Sequence, residues 1–253
     1  MPEPALIEEL LWLAHAVGVE TRRLVVLTEG SVSARVNDNE FLTKATGFEL
    51  SNLTREGISA CRTNIILGII EQPLLDLGSL HRILNDALID PTGPRAGVDA
   101  AIHALLLGLP GVRFVVQAQP ENILQILCSP AGERFADHRM FPDEIDFCGS
   151  QTVYVPYTDP GAPLAREIRS KLSIFQRRSQ NRIPRLILVQ NQGAIAIGPT
   201  PAAALGTMMM AEKAASVFVG ATRLGGPLFL PPQHVIRLEA RGDDTPRPST
   251  ILL

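Results

Sequence analysis

Apolar residues recur every three or four positions through PALIEELLWLAHAV near the start of the chain, which predicts an amphipathic helix with Pro4 in its first turn. From Arg22 to Leu53 the period changes. Short apolar runs alternate with polar turns, so this stretch predicts short strands, with Asn37, Asp38 and Asn39 at a hairpin tip. Helical spacing returns in LLDLGSLHRILNDALID, is broken by DPTGPRAG, and resumes in VDAAIHALLLGLPG, a helix expected to end at Gly108 or Gly111. Val112 to Gln119 reads as a buried strand running into a short helix, Ser129 to Ser150 as irregular, and TVYVPY as a strand. DPGAPLAREIRSKLSIFQRRS predicts a helix, and PRLILVQNQGAIAIG a strand pair turning around Asn191, Gln192 and Gly193. PTPAAALGTMMMAEKAASVFVGATRLGG predicts the longest helix. Strands and helices mixed without regular βαβ alternation predict an α/β fold in which helices cover a sheet of substantial antiparallel character.

A chain of 253 residues with 45% hydrophobic content buries a full core, and one domain spanning 1–253 is expected. The net charge of −3 and the lack of a dense basic run give no reason to expect a nucleic-acid partner. Three cysteines, Cys61, Cys128 and Cys148, are an odd number without a C-x-x-C pair, which points to a reducing cytoplasm rather than a disulfide framework or a cysteine metal site. The first residues carry acids rather than a basic leader, so they are expected to form a folded helix, not a signal peptide. Pro, Gly or charge interrupts every apolar run short of the ~18 residues that span a bilayer, and no membrane partner is expected.

Gln117 and Gln119 lie two residues apart on a predicted strand, so both side chains leave the same face. Histidines at that spacing grip one metal ion; neutral amides are poor zinc ligands beside imidazole, thiolate or carboxylate. His15, His81, His138 and His234 are scattered and offer no replacement cluster.

The segments TEGSVSAR, FLTKATGFEL, RAGVDAAIH, VVQAQP, VPYTDPG and VQNQGAIAIG, in this order and covering nearly the whole chain, together resemble the class II aldolase/adducin family. The KATG loop is similar to that of a bacterial subgroup related to rhamnulose-phosphate aldolases. The family includes fuculose-phosphate aldolases, a ribulose-phosphate epimerase and the non-enzymatic head domain of adducin, so fold does not fix function. The resemblance implies a three-layer α/β/α fold with a central mixed, largely antiparallel sheet. It also implies a ring-like homotetramer with active sites at subunit boundaries.

In the family's aldolases three histidines hold zinc, which stabilises an enediolate while a glutamate moves protons. Here the resemblance places Gln117, Gln119 and Gln192 at the histidine positions, and Asp99 at the glutamate position, four residues before His103. Thr28, Gly30 and Ser31 match the first phosphate loop, with Ser for Asn, and Thr46 with Gly47 matches the second; Lys44 adds positive charge. Glu29 opposes it with a negative charge, and Ala96-Gly97-Val98-Asp99 lacks the serine of the third loop. Tyr157 falls where some aldolases place a tyrosine proton donor, although a half-buried strand aromatic is its ordinary role. Asp99 also suits a helix cap, and His103 a packed helix position with a ring nitrogen capping a carbonyl.

The leading expectation is a metal-free, cofactor-free member of this fold that binds a small anionic sugar-phosphate or sugar-acid ligand through Thr28, Gly30, Ser31, Lys44, Thr46, Gly47, Gln117, Gln119 and Gln192. One alternative is a metal-independent lyase or epimerase with Asp99 as base, glutamine amides as neutral oxyanion donors and Lys44 as electrostatic partner, Tyr157 being the other catalytic candidate. Another is a structural or regulatory subunit of the adducin type.

Overall fold

A computed structural model describes residues 3–72 and 75–244. Helix α1 (Pro4–Val17) begins at its N1 proline, where the missing N–H costs nothing. Strands β1 (Ser31–Arg35), β2 (Glu40–Lys44) and β3 (Ile58–Arg62) follow, the first two joined by the expected tip, where Asn39 N–H donates to Asn37 Oδ1 at 2.8 Å. Next come α2 (Thr63–Glu71), α3 (Leu77–Asp86) and α4 (Ala100–Leu107), the last stopping at Gly108. Strand β4 (Phe114–Ala118) leads to the short helices α5 (Glu121–Leu127), α6 (Gly132–Asp137) and α7 (Pro142–Cys148). The chain continues through β5 (Val153–Val155), α8 (Ala162–Arg178), β6 (Leu186–Val189), β7 (Gly193–Gly198), α9 (Pro201–Arg223) and α10 (Pro232–Asp244).

The strands form one seven-stranded sheet in the order β3-β2-β1-β4-β7-β6-β5. Only β5 and β6 pair in parallel; every other neighbouring pair is antiparallel. Strand alternation sends Phe114, Val116 and Ala118 of β4 to one face, into a core shared with α1, α5 and α9, and Val115 to the other, into a core shared with α2, α4 and α8. Helices on both faces of a mixed, largely antiparallel sheet make the three-layer arrangement that the resemblance implies.

The structure departs from the sequence pattern in four places. The run Leu24–Leu27 forms no strand: Leu27 adopts φ 54 and is exposed with Val26, so the run turns outward as a loop. Arg55 to Gln72, which the pattern left unassigned, supplies β3 and α2. Ser129 to Ser150 is not irregular but holds α6 and α7. Each spans fewer than two full turns and shows too few apolar positions to set a period, and the segment is organised by buried Arg139 instead. The Arg139 guanidinium donates to the carbonyls of Ala136, His138 and Gly149 and to Thr152 Oγ1. Finally, α9 has 23 residues and, by length and composition alone, passes as a membrane span; half of its apolar window is buried against the rest of the protein, which accounts for that composition.

Candidate functional site

The loops that open and close the central strands meet at one end of the sheet, on the face turned toward α4, and enclose a cleft of ≈ 510 Å³. Thr28, Gly30 and Ser31 enter it from the start of β1, and Lys44, Thr46 and Gly47 from the end of β2. Asp99 comes from the start of α4, Gln117 and Gln119 from the end of β4, and Gln192 from the β6–β7 turn. Every ligand-binding or catalytic candidate from the sequence except Tyr157 therefore lines this cleft.

Two glycines make the convergence possible. A Cβ on Gly193, whose φ is +120, would lie 2.3 Å from Ala118 O, so only glycine lets the β6–β7 turn press against the end of β4 and bring Gln192 beside Gln117 and Gln119. A Cβ on Gly97 would lie 2.4 Å from Asp99 Oδ1, so the carboxylate occupies the space that a side chain at 97 would need. The second and third loops are stitched by an antiparallel bridge between Ala45 and Ala96 and by Thr46 N–H donating to Arg95 O at 3.0 Å. That bond consumes an amide that a phosphate-binding loop would otherwise present.

Lys44 is buried and its Nζ donates to Thr28 O and Phe48 O, both at 2.8 Å. Burial pushes its pKa down, against a smaller upward pull from Asp99. Asp99 occupies the N-cap position of α4 but makes no side-chain cap bond. Its carboxylate, 26% exposed, turns instead toward His103, with Oδ2 3.6 Å from Nε2. Burial alone would raise the Asp99 carboxyl; the His103 imidazole, with a lesser contribution from Lys44, outweighs it and holds the group below its ordinary value. His103 does not cap a carbonyl as expected, because β1 lies directly beneath α4 and offers a hydroxyl: Nδ1 and Ser33 Oγ share a 2.6 Å hydrogen bond. With its proton on Nε2, facing the carboxylate, the ring accepts from Ser33 at Nδ1. Glu29 turns back to accept from Val26 N–H at 2.9 Å and does not line the cleft, so the first loop presents less negative charge than its sequence implies.

Tyr157 lies beyond the end of β5, because Pro156 cannot continue the ladder. It is 55% exposed rather than half-buried in a strand, and its hydroxyl donates to Asp159 Oδ1 at 3.3 Å, outside the cleft of this chain. Pattern reading also missed Val98, Ile102, Leu124, Pro160, Gly161 and Leu164, the largely apolar wall. No local signal marks them, since they belong to separate elements that only folding juxtaposes.

Gln192 Nε2 donates to Thr158 O at 2.6 Å, so one of the three amides already serves the chain itself. Gln117 Oε1 and Ser31 Oγ are buried without a partner in the chain. Among the described residues, no three His, Cys, Asp or Glu side chains gather as a metal-binding group. The donors at 117, 119 and 192 are carboxamides, whose chemistry does not suit zinc.

A family model described as Class II Aldolase and Adducin N-terminal domain matches residues 9–219. The chain is 22% identical over 205 residues to the "Uncharacterized oxidoreductase YuxG" of Bacillus subtilis (strain 168), a match covering 78% of this chain but only 27% of that protein, about a quarter of its length. Among solved structures, an L-fuculose 1-phosphate aldolase superposes with a TM-score of 0.72 at 14% identity, covering 96% of this chain and 98% of that one. The N-terminal class II aldolase domain of a conserved Thermoplasma acidophilum protein gives 0.68 at 18% identity, covering 87% and 96%. L-fuculose-1-phosphate aldolase from Thermus thermophilus gives 0.61 at 16%, covering 88% and 98%. At such identities the likeness concerns the fold.

Proposed function

Since the chain belongs to the class II aldolase and adducin N-terminal domain family, we propose that it is a metal-independent member whose cleft binds a small anionic ligand of the sugar-phosphate or sugar-acid type. One observation carries this reading: the three positions where the family resemblance calls for zinc-binding histidines line a single cleft as Gln117, Gln119 and Gln192, beside Lys44 and the Thr28–Ser31 and Thr46–Gly47 loops. Lys44 spends two of an ammonium's three donors on backbone carbonyls, which leaves one for a phosphate or carboxylate. Free carboxamides at Gln117 and Gln119 and the hydroxyls of Thr28, Ser31 and Thr46 supply neutral hydrogen bonds. On this reading the protein works in the cytoplasm, as a homo-oligomer, without a cofactor.

The test is elemental analysis of protein purified without chelator, together with calorimetric titration of inorganic phosphate. Less than stoichiometric zinc and manganese, with saturable phosphate binding that Lys44→Met weakens, are expected. One tightly held divalent ion per chain would overturn the proposal.

A second reading is favoured by Asp99 itself, whose carboxylate lines the cleft with Oδ2 3.6 Å from His103 Nε2. Asp99 would then abstract a proton next to a ligand carbonyl, and an amide donor would stabilise the developing oxyanion. A carboxyl held below its ordinary value is a weak base, which ranks this reading second. Solvent proton exchange into a ketose phosphate, abolished by Asp99→Asn, would establish it; its absence across a sugar-phosphate panel would count against it.

A further inference from the structure

On the face of the sheet turned toward α4, polar side chains interrupt an apolar row. Ser33 stands opposite Val115 and Ser31 opposite Gln117 in the β1–β4 register. Ser33 is satisfied by His103. Ser31, only 2% exposed, and Gln117 are not: Ser31 Oγ and Gln117 Oε1 are both buried and without a partner in the chain. Directly opposed residues of antiparallel strands share a face, with Cβ atoms about 4.5–5.5 Å apart, so the two orphaned oxygens occupy one patch of the cleft wall. Buried polar groups are nearly always paired, and two exceptions side by side in a cleft call for a partner from outside the chain.

We infer that Ser31 and Gln117 form a hydroxyl-reading subsite, which selects ligands carrying an alcohol, rather than a ketone, beside the anionic group held at Lys44. Gln117 Oε1 can only accept, whereas Ser31 Oγ can donate or accept, so the group that completes both must donate to Gln117. A ketone carbonyl has no proton to give Gln117 Oε1, and a carboxylate or phosphate oxygen, although it can accept from Ser31 Oγ, is repelled by the Gln117 Oε1 lone pairs. An ammonium donates but would place a second positive charge in the cleft that the Lys44 ammonium already lines. A neutral hydroxyl is the chemistry that remains. The assignment rests on the anion-binding reading above and adds to it the oxidation level of the ligand.

The experiment compares glycerol 3-phosphate, dihydroxyacetone phosphate and inorganic phosphate by calorimetry on the wild-type protein and on the Ser31→Ala and Gln117→Met variants. The alcohol should bind at least about tenfold more tightly than the ketone, the equivalent of one hydrogen bond, and either variant should narrow that preference. Both variants should melt at or above the wild-type temperature, because each removes a group that is unsatisfied in the free protein. Equal or tighter binding of the ketone overturns the inference. So does a marked fall in melting temperature in either variant, which would mean that the two groups satisfy each other. Phosphate binding without any hydroxyl preference rejects the subsite and leaves the anion-binding reading standing; failure of all three probes to bind rejects both.

Discussion

Gln192 Nε2 donates a 2.6 Å hydrogen bond to the carbonyl of Thr158, while two residues earlier Gln190 Oε1 accepts one of 3.2 Å from the N–H of Tyr157. The two amides tie consecutive residues of the β5–α8 loop to the end of β6, and that loop supplies Pro160 and Gly161 to the cleft wall. The partners fix the roles: Gln190 must accept and Gln192 must donate.

That asymmetry predicts the outcome of substitution. Gln190→Glu keeps an acceptor and should preserve slow hydrogen exchange at the Tyr157 amide, whereas Gln190→Ala should speed it. Gln192→Glu has no donor and should behave like Gln192→Ala, each losing about 0.5–1.5 kcal/mol or more of stability in denaturant titrations. Equal exchange rates at Tyr157 in the two Gln190 variants would refute the assignment.

Replacing Gln117, Gln119 and Gln192 together by histidine should create a zinc site, because all three line one cleft. Plasma emission spectroscopy should find about one zinc per chain in the triple variant and far less in any single one. A triple variant that folds but takes up no zinc would show that the three side chains do not reach a common point.

Asp99 sets an acid-side stability dependence. Its carboxyl is held below the ordinary 3.8, mainly by the His103 imidazole acting against burial, so the unfolded chain binds a proton more readily than the folded one. The stabilisation is fully present above the ordinary value and is lost as pH falls through the folded value. Asp99→Asn should therefore flatten the acid limb of a plot of urea midpoint against pH. An unchanged limb would remove Asp99 from that account.

Gly193→Ala should be the most damaging single change in the cleft. The new Cβ would meet the Ala118 carbonyl, which is backbone and cannot rotate away, at a φ of +120 that L residues rarely adopt. A loss of roughly 3 kcal/mol or more is expected by chemical denaturation. Gly97→Ser, which restores a serine to the third loop, should instead displace the Asp99 carboxylate and erase the pH effect just described, with a smaller cost in stability.

Much of this molecule was legible in order but not in space. Pro4 at a helix start, the long helical stretch that became α9, the Asn37–Asn39 tip and the apolar run of β4 act within a few residues, so α1, α9, the β1–β2 hairpin and the central strand could be read directly. Short elements stapled by distant groups could not, and α6 and α7 around Arg139 are the clear case.

The sequence by itself, through the order of its family-like motifs, brought out the polar side of the cleft, and all but Tyr157 of that set line it, while the apolar wall carried no local signal. What each residue does was decided by tertiary structure. Gln192 became a loop tie, Glu29 turned away, His103 met Ser33 instead of a carbonyl, and Ser31 and Gln117 were left side by side without partners. Hydrogen bonds form over a fraction of an ångström between groups that the chain separates by tens of residues. No local pattern encodes which donor finds which acceptor.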